Sequence, residues 1–567
     1  MRCPSLLVAT LGLALAAAAQ AAEPVHYHWF EYVGHDPAQQ QPLPAGHYRN
    51  PVLAGFYPDP SAIRVGDRYY LVNSSFAWFP GLPISESRDL VHWKTIGHAI
   101  DRATQMDFDG AGVSRGLFAA TLAFHDGLFY LACTEVDGRG NFIVTARDPA
   151  GPWSDPTWLP DVDGIDPSLF FDDDGQAYLL NNGPPQGQPR YEGHRAIWIQ
   201  SFNPATRQTF GPRQVIVDGG VDPAANPIWI EGPHLFKRDG WYYLSAAEGG
   251  TGPQHSQVVL RSRAALGPYL PDPHNPILTQ RDLPASRPDP VVNAGHADLL
   301  EAADGNWWAV FLASRSYGDG HYNTGRETWL LPVQWQQGWP RITAPGQVLT
   351  QTAPGPAFLR QDLSQAPMAG NFRWRDEFDQ PTLDTAWQYL RAPRQDWARL
   401  DVEPGSLTVQ ALAEGLDSAH NPSFLARRQQ HLVFEASTAL QVPTSPGVAA
   451  GIAAFQNENH WYFLGVHRRD GQLQLFLEKR NGTATQAVAS TPLAAGTTTL
   501  QLKIEGNAGA YAFGYASDAG HWQWLRRNED GTILSTDVAG GFVGTQLGPY
   551  ARAEGTAQEQ ADATATH

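Results

Sequence analysis

The sequence predicts an all-β protein, a five-bladed β-propeller followed by an antiparallel β-sandwich. Self-similarity at a period of several tens of residues is typical of propellers. Here one layout recurs five times, in which an acidic turn residue precedes an aromatic-rich strand, as at Asp239 in EGPHLFKRDGWYYL. Beyond residue 371 the chain changes to hairpins with alternating residues and turns at Asp470-Gly471 and Asn481-Gly482, which indicates a sandwich. The five turn acids are Asp67, Asp126, Asp174, Asp239 and Asp304.

The composition supports a folded, strand-rich protein and limits its partners. The 567 residues are 42% hydrophobic and include 19 Trp, 19 Tyr, 25 Phe and 55 Gly, which favours strands and tight turns. The net charge of −18, without a basic cluster, excludes nucleic acid as an expected partner. A small neutral oligosaccharide fits this balance. The sequence leaves the oligomeric state open.

The N-terminus is predicted to be a signal peptide covering residues 1–21. Arg2 precedes an apolar run from Leu6 to Ala19 and a small-residue site, Ala19-Gln20-Ala21, with cleavage expected after Ala21. The run is too short for a stable membrane span, and no membrane association is expected. We therefore expect export to the periplasm or the extracellular space. Cys133 then has no disulfide partner and is predicted to be a buried core residue.

Shifts in composition define the remaining boundaries. Residues 22–49 are an N-terminal segment to which no structure is assigned, and residues 50–345 are the predicted propeller. A Pro/Gly/Ala-rich stretch over residues 346–371 is typical of a linker. Residues 372–550 are the predicted sandwich. Residues 551–567 lack apolar bulk and are predicted to be disordered.

The position eight residues before each turn acid contains the candidate site residues. Equal offsets within a repeat correspond to equivalent places in space, so these side chains should meet on the propeller axis. Taken singly, such residues are most often turn caps or solvated strand ends. Taken together, three carboxylates around one axis repel each other, and burying each ionised carboxylate without compensation costs on the order of several kcal/mol. A fold does not need this arrangement for its structure, so the arrangement indicates a function. The five residues are Asp59, Phe118, Asp166, Glu231 and His296.

Several motifs in this order resemble the family 43 glycoside hydrolases. They are NPVLAGFYPDPSAIRVGDRYYLVNSSF, SRGLFAATLAFHDGLFYL, GIDPSLFFDDDGQAYL, EGPHLFKRDGWYYL, GHADLLEAADGNWWAVFLASR and GRETWLLP. The chain is most similar to the β-xylosidase and α-L-arabinofuranosidase branches that carry an extra β-sandwich. The resemblance spans residues 50–340 and, more weakly, 370–550.

The resemblance implies an inverting exo-hydrolase and assigns roles by motif. Asp59 in PDPS is similar to the general base, Glu231 in EGPH to the general acid, and Asp166 in DPSLF to the carboxylate that tunes and orients the acid. An inverting pair needs an acid and a base on opposite faces of the sugar. A second carboxylate near the acid raises its pKa and keeps it protonated near neutral pH. The implied substrate-binding residues are Arg326, His296, Phe76, Phe118 and Phe542.

Some of these binding residues also have a purely structural interpretation. Without the resemblance, Arg326 is as well explained as a surface residue beside Glu327, and His296 as a core histidine. Phe542 is more readily explained as sandwich core than as an aromatic at the pocket rim. Phe118 and Ala120 replace residues that are commonly Trp or Tyr and Pro in relatives, so subsite shape and sugar choice are in doubt.

No cofactor and no metal site is predicted. One histidine with three carboxylates is a neighbourhood that suits Ca²⁺, so a calcium ion on the propeller axis stays open. Such hard cations take six to eight oxygen ligands, however, and no dedicated loop is present in the sequence.

The predicted function is an exo-acting inverting β-xylosidase that releases xylose from the non-reducing ends of β-1,4-xylo-oligosaccharides. The alternative is an α-L-arabinofuranosidase or a bifunctional enzyme, because the two sugars present similar hydroxyl patterns. A more remote alternative is a non-catalytic carbohydrate-binding propeller. Whether the sandwich binds carbohydrate is open. A retaining invertase-type enzyme is disfavoured, because the Asn-Asp-Pro-Asn-Gly and Glu-Cys motifs are missing.

Overall fold

The computed structural model describes residues 23–360, 368–518 and 520–554. The predicted signal peptide and most of the predicted tail lie outside these ranges. Nearly all described elements are strands, which confirms the predicted all-β fold with its propeller and sandwich. No helix among the described residues is long and apolar enough to cross a membrane. The helical elements are Pro37–Gln39, Pro223–Ala225, Gly531–Leu534 and Thr536–Ala539.

Five antiparallel sheets form the blades of the propeller. Blade 1 contains Ser61–Val65, Arg68–Val72, Gly81–Ser87 and Trp93–Ile100. Blade 2 contains Gly116–Leu117, Thr121–His125, Leu128–Val136, Gly140–Ala146 and Thr157–Trp158. Blade 3 contains Ile165–Phe171, Ala177–Gly183, Ala196–Asn203 and Gln208–Asp218. Blade 4 contains Glu231–Arg238, Trp241–Glu248, Ser256–Ser262, Leu270–Pro271 and Leu278–Thr279. Blade 5 contains Val291–Glu301, Trp307–Arg315, Glu327–Gln336 and Trp339–Arg341.

The turn acids of the repeat lie in the hairpins between the first two long strands of each blade. Asp126 and Asp239 have φ values of 49° and 51°, and the glycines that follow them have φ values of 75° and 71°. Two successive residues with positive φ are what a two-residue hairpin of type I′ needs, and Asp-Gly is a favoured pair there. The repeat seen in the sequence is therefore a repeat of hairpins.

The sandwich contains two eight-stranded sheets. The first sheet contains Val25–Gly34, Arg373–Asp376, Ala398–Arg399, Leu407–Val409, Val433–Gln441, Thr499–Asn507, Ala510–Ala516 and Gln523–Asp530. The second contains Trp78–Phe79, Gln388–Leu390, Leu425–Arg428, Val448–Asn457, His460–Arg469, Gln472–Asn481, Thr485–Pro492 and Gln546–Ala553. A separate pair, His47–Arg49 with Thr352–Pro354, joins the entry and exit of the propeller.

The N-terminal segment, to which the sequence assigned no structure, contains a strand of the sandwich. Val25–Gly34 pairs with Val433–Gln441, about 400 residues away along the chain. Tyr27 and Tyr32 are fully buried, but a register shift between Tyr27 and Trp29 interrupts the alternation of buried and exposed positions. That bulge hides the strand pattern in the sequence.

Propeller and sandwich share buried contacts that hold them in one arrangement. The Trp78–Phe79 strand lies in the propeller segment of the chain but pairs with Gln388–Leu390 of the sandwich. The buried Arg315 side chain forms a bidentate pair with Glu327 at 2.8 Å, donates to the Gln430 carbonyl at 2.7 Å and also pairs with Asp36. This interface brings a sandwich loop to the end of the propeller axis.

Candidate active site

A cavity of about 470 Å³ lies where the innermost strands of the five blades begin. All eight site residues predicted from the sequence line it, so the structure brings the whole set together. The other lining residues come from loops between blades and from strand ends. The lining residues are Asp59, Phe76, Arg115, Phe118, Ala119, Val136, Ile165, Asp166, Arg195, Trp229, Glu231, Gly250, Thr251, His296, Arg326 and Phe542.

The backbone at these strand starts is unusual in the same way in several blades. Asp59, Asp166 and His296 have φ values of 50°, 55° and 50°, in the left-handed region that L-residues seldom occupy. In blade 4 this conformation falls one residue later, at Gly232, with a φ of 56°. Strain that recurs at equivalent positions around one cavity points to a function of these side chains.

Gly232 is also a point of close approach between blades 4 and 5. A Cβ atom built on it would lie 2.6 Å from His296 Nε2, which is too short for any side chain. Only glycine lets the imidazole lie against this backbone. The neighbouring Glu231 carboxyl group is thereby placed beside the histidine.

Asp59 is 5% exposed, and its surroundings favour the ionised form. Its Oδ1 accepts a hydrogen bond from Arg326 Nη1 at 3.1 Å, and its Oδ2 accepts one from the Ser74 hydroxyl. Burial alone would raise the pKa of Asp59, but the positive charges of Arg326 and His296 and the Ser74 hydrogen bond hold it below its usual range. Asp59 is therefore a carboxylate at neutral pH.

Glu231 is 6% exposed, and its surroundings favour the protonated form. Burial and the nearby charge of Asp166 raise the pKa of Glu231 to about 8, with a smaller contribution from Asp59. Its Oε1 atom is buried and has no hydrogen-bond partner in the part of the chain that the structure describes. Glu231 can therefore hold a proton at neutral pH and has an oxygen free for a ligand.

Asp166 interacts with both Glu231 and His296. Its Oδ2 accepts a hydrogen bond from the Gly232 N–H at 3.1 Å and lies 3.8 Å from His296 Nε2. Burial lowers the pKa of His296, but the carboxylates of Asp166, Asp59 and Glu231 outweigh burial and raise it to about 9. A protonated His296 compensates part of the negative charge of the buried acids around it.

Three phenylalanines form the apolar wall of the cavity. Phe76 lies in the propeller, 5.0 Å from Phe118 between ring centroids, and stacks on Phe542 of the sandwich at 5.7 Å and 20°. The Arg326 guanidinium carbon lies 5.4 Å from the centre of the Phe542 ring. The Phe542 N–H donates to the Ser114 hydroxyl at 3.0 Å. Phe542 thus packs on the sandwich core and lines the cavity at once.

The sequence did not indicate several other polar and aromatic residues that line the cavity. Arg115, Arg195, Trp229 and Thr251 line the cavity but have no counterpart at the eight-residue offset. Arg115 pairs with Asp137 in a bidentate arrangement at 2.5 and 2.7 Å. For two of them the sequence contains a signal, which is proximity along the chain to a predicted site residue. Trp229 precedes Glu231 by two residues, and Arg115 precedes Phe118 by three.

The part of the chain that the structure describes contains no ready set of metal ligands. Within residues 23–360, 368–518 and 520–554, no group of three or more His, Cys, Asp or Glu side chains is arranged to hold an ion. The buried His255 Nδ1 donates to the Asn293 carbonyl at 2.8 Å, and burial lowers the pKa of His255 to about 3.

Comparisons with known proteins show the family to which the chain belongs. The profile described as glycosyl hydrolases family 43 matches residues 48–340, and that of the beta xylosidase C-terminal concanavalin A-like domain matches residues 375–564. A protein of Butyrivibrio fibrisolvens named "Xylosidase/arabinosidase" is 38% identical, over 89% of this chain and 96% of its own length.

Two further relatives extend the match. "Non-reducing end alpha-L-arabinofuranosidase BoGH43B" of Bacteroides ovatus is 35% identical over 90% of this chain and 92% of its own. The crystal structure of a GH43_12 protein retrieved from a capybara gut metagenome has a TM-score of 0.88 at 37% identity, covering 94% of this chain and 100% of the other. The chain is therefore a glycoside hydrolase and belongs to glycosyl hydrolases family 43.

Proposed function

We propose that the protein is an exo-acting, inverting β-xylosidase that releases xylose from the non-reducing ends of β-1,4-xylo-oligosaccharides. The observation that carries the proposal is a pair of buried carboxyl groups in one cavity with opposite pKa shifts. The pKa of Asp59 lies below its usual range, and that of Glu231 is raised to about 8. General acid–base hydrolysis needs one ionised and one protonated carboxyl group at the same pH.

In the proposed reaction each group moves one proton. Glu231 donates its proton to the glycosidic oxygen as the bond to the anomeric carbon breaks. Asp59 accepts a proton from a water molecule, whose oxygen attacks the opposite face of the sugar and forms the new bond. Asp166 raises the pKa of Glu231 by its charge, so that the acid is reprotonated from solvent for the next cycle.

The walls of the cavity support recognition of a single terminal sugar. A volume of about 470 Å³ is that of a small-molecule pocket. Arg326 offers its guanidinium to sugar hydroxyl groups, while Phe76, Phe118 and Phe542 offer apolar contact. His296, which lies beside Asp166, is proposed to fix the position of the sugar relative to Asp166 and Glu231.

The second candidate is an α-L-arabinofuranosidase or a bifunctional enzyme. It is favoured by the relatives' names, which include both activities. Initial rates on 4-nitrophenyl β-D-xylopyranoside and 4-nitrophenyl α-L-arabinofuranoside separate the two. We expect higher kcat/KM on the xyloside; a higher value on the arabinofuranoside would favour the second candidate, and no turnover on either would favour a binding protein.

Inversion is tested by NMR of the first sugar formed. Hydrolysis of xylobiose should give α-xylose at the released anomeric centre before mutarotation. β-Xylose as the first product would show retention and would remove Asp59 from the role of general base.

Export and independence from cofactors complete the proposal. Residues 1–21 are proposed to be a signal peptide, and N-terminal sequencing of protein from the periplasm or the medium should find a chain that starts at Ala22. A start at Met1 would contradict export by this route. Treatment with a chelator should leave kcat/KM within about twofold, whereas a larger loss restored by Ca²⁺ would indicate an ion on the axis.

A further inference from the structure

Trp229 occupies a place in the fold that stability does not explain. It is 39% exposed, and it is the one tryptophan among the exposed large hydrophobic residues of the described chain. Its φ of 54° lies in the left-handed region, which is unfavourable for a bulky L-residue. Strain that presents an aromatic ring to solvent at a cavity wall indicates a binding role.

Hydrogen bonds on both sides fix the segment that carries this ring. The Trp229 N–H donates to the Gly193 carbonyl at 2.9 Å. The residues on either side of Trp229 are also held. Asn182 Nδ2 donates to the Ile230 carbonyl at 2.6 Å, and the Gly249 N–H donates to the Ile228 carbonyl at 2.9 Å. The ring is therefore positioned before any ligand arrives, which lowers the entropic cost of binding.

Arg195 completes the same wall. Its guanidinium carbon lies 4.8 Å from the centre of the Trp229 ring, and its Nε and Nη2 donate to Asn182 Oδ1 at 2.9 and 2.6 Å. The third nitrogen, Nη1, makes no hydrogen bond to the residues that the structure describes. A supported aromatic face beside a free cationic donor suits a sugar ring, whose C–H face is apolar and whose edge carries hydroxyl groups.

The position of this wall relative to the acid defines which sugar it would hold. Trp229 precedes Glu231 by two residues, and both line the cavity together with Arg195. A general acid lies beside the oxygen that joins the released sugar to its leaving group. The proposed base Asp59 is instead paired with Arg326, at 3.1 Å between Oδ1 and Nη1.

We infer that Trp229 and Arg195 form a subsite for the leaving-group sugar, so that the enzyme distinguishes oligosaccharides from glycosides with small leaving groups. This inference rests on the proposed role of Glu231 as the general acid. It adds a recognition element in the same cavity, separate from the residues proposed to bind the released sugar, and it names a second pyranose unit as the chemistry that fits.

The test compares two substrates that differ only in the leaving group. Xylobiose carries a leaving-group sugar, whereas β-D-xylosyl fluoride carries a single atom that cannot reach the ring. Trp229→Ala should lower kcat/KM on xylobiose by about tenfold or more and leave the value on the fluoride within about twofold. Trp229→Phe should recover part of the loss, and Arg195→Met should show a smaller loss in the same direction.

Phe210→Ala is the matched control, because Phe210 is 53% exposed but does not line the cavity. It should change neither value. Equal losses of Trp229→Ala on both substrates, or no loss on xylobiose, would overturn the subsite alone. Wild-type protein that hydrolyses neither substrate would overturn the proposed function and the subsite with it. Retained turnover of the fluoride by Trp229→Ala also shows that the variant is folded.

Discussion

Asp59 and Glu231 occupy equivalent positions in two blades and are buried to a similar extent, yet their pKa values are shifted in opposite directions. Each lies eight residues before its turn acid, with exposures of 5% and 6%. The pKa of Asp59 lies below its usual range, while that of Glu231 is raised to about 8. Burial acts in the same direction on both, so burial cannot be the cause of the difference.

The difference comes from the neighbour that each carboxyl group meets. Arg326 lies 3.1 Å from Asp59 and, together with His296 and the Ser74 hydrogen bond, outweighs the effect of burial on its pKa, whereas Asp166 adds a second negative charge beside Glu231. The repeat thus supplies equivalent places around an axis, and the charge of the neighbouring side chain, Arg326 from outside the repeat pattern or Asp166 from within it, decides what each carboxyl group does. The predictions below remove one part of this contrast at a time.

Removing either carboxyl group should have the largest effect. Glu231→Ala and Asp59→Ala should each lower kcat/KM on xylobiose by about 10²–10⁴-fold or more, because each loses one proton transfer. The loss in Glu231→Ala should be much smaller on β-D-xylosyl fluoride, whose leaving group needs no proton. The loss in Asp59→Ala should be similar on both substrates. Equal losses of Glu231→Ala on the two substrates would contradict its role as the acid.

Removing the charge beside the base should come next. Arg326→Met leaves Asp59 buried without its ion pair, so the pKa of Asp59 should rise. The base must be ionised to act, and the acidic limb of the kcat/KM profile should therefore move to higher pH. We also expect KM to rise, because a donor to the sugar is lost. An unchanged acidic limb would show that Ser74 and His296 suffice to keep Asp59 ionised.

Removing the charge beside the acid should act at the other end of the profile. Asp166→Asn keeps the size of the side chain but removes the charge that raises the pKa of Glu231. The acid must be protonated to act, so the alkaline limb of kcat/KM, expected near pH 8 in the wild type, should move to lower pH. A shift of one unit would correspond to about 1.4 kcal/mol. An alkaline limb that stays in place would mean that burial alone sets the pKa.

Changing the apolar wall should have the smallest effect. Phe542→Ala removes a ring that contacts Phe76 and Phe118 but leaves every carboxyl group in place. KM for xylobiose should rise several-fold while both limbs of the pH profile stay where they are. Phe542→Tyr is the control that keeps the ring. A shift of either limb would show that the sandwich contributes to the electrostatics of the acids as well as to the wall.

The sequence predicted the acids because a propeller converts equal offsets along the chain into equal places around an axis. It did not predict Trp229 and Arg195, which come from connections between strands and have no partner at the same offset in other blades. Phe542 lies more than 200 residues beyond the last blade, so only the packing of the sandwich brings it to Arg326. The strand Val25–Gly34 was missed because a bulge breaks its alternation and its partner strand is distant in sequence.

The most direct test of this contrast is the protonation state of Glu231 itself. Infrared difference spectra between the wild type and Glu231→Gln isolate the carboxyl band of that residue as the pH is raised. We predict a protonated carboxyl band at neutral pH that is lost with a midpoint of about 8. A Glu231 that is already ionised at pH 6 would contradict the account, because the two equivalent carboxyl groups would then be in the same state.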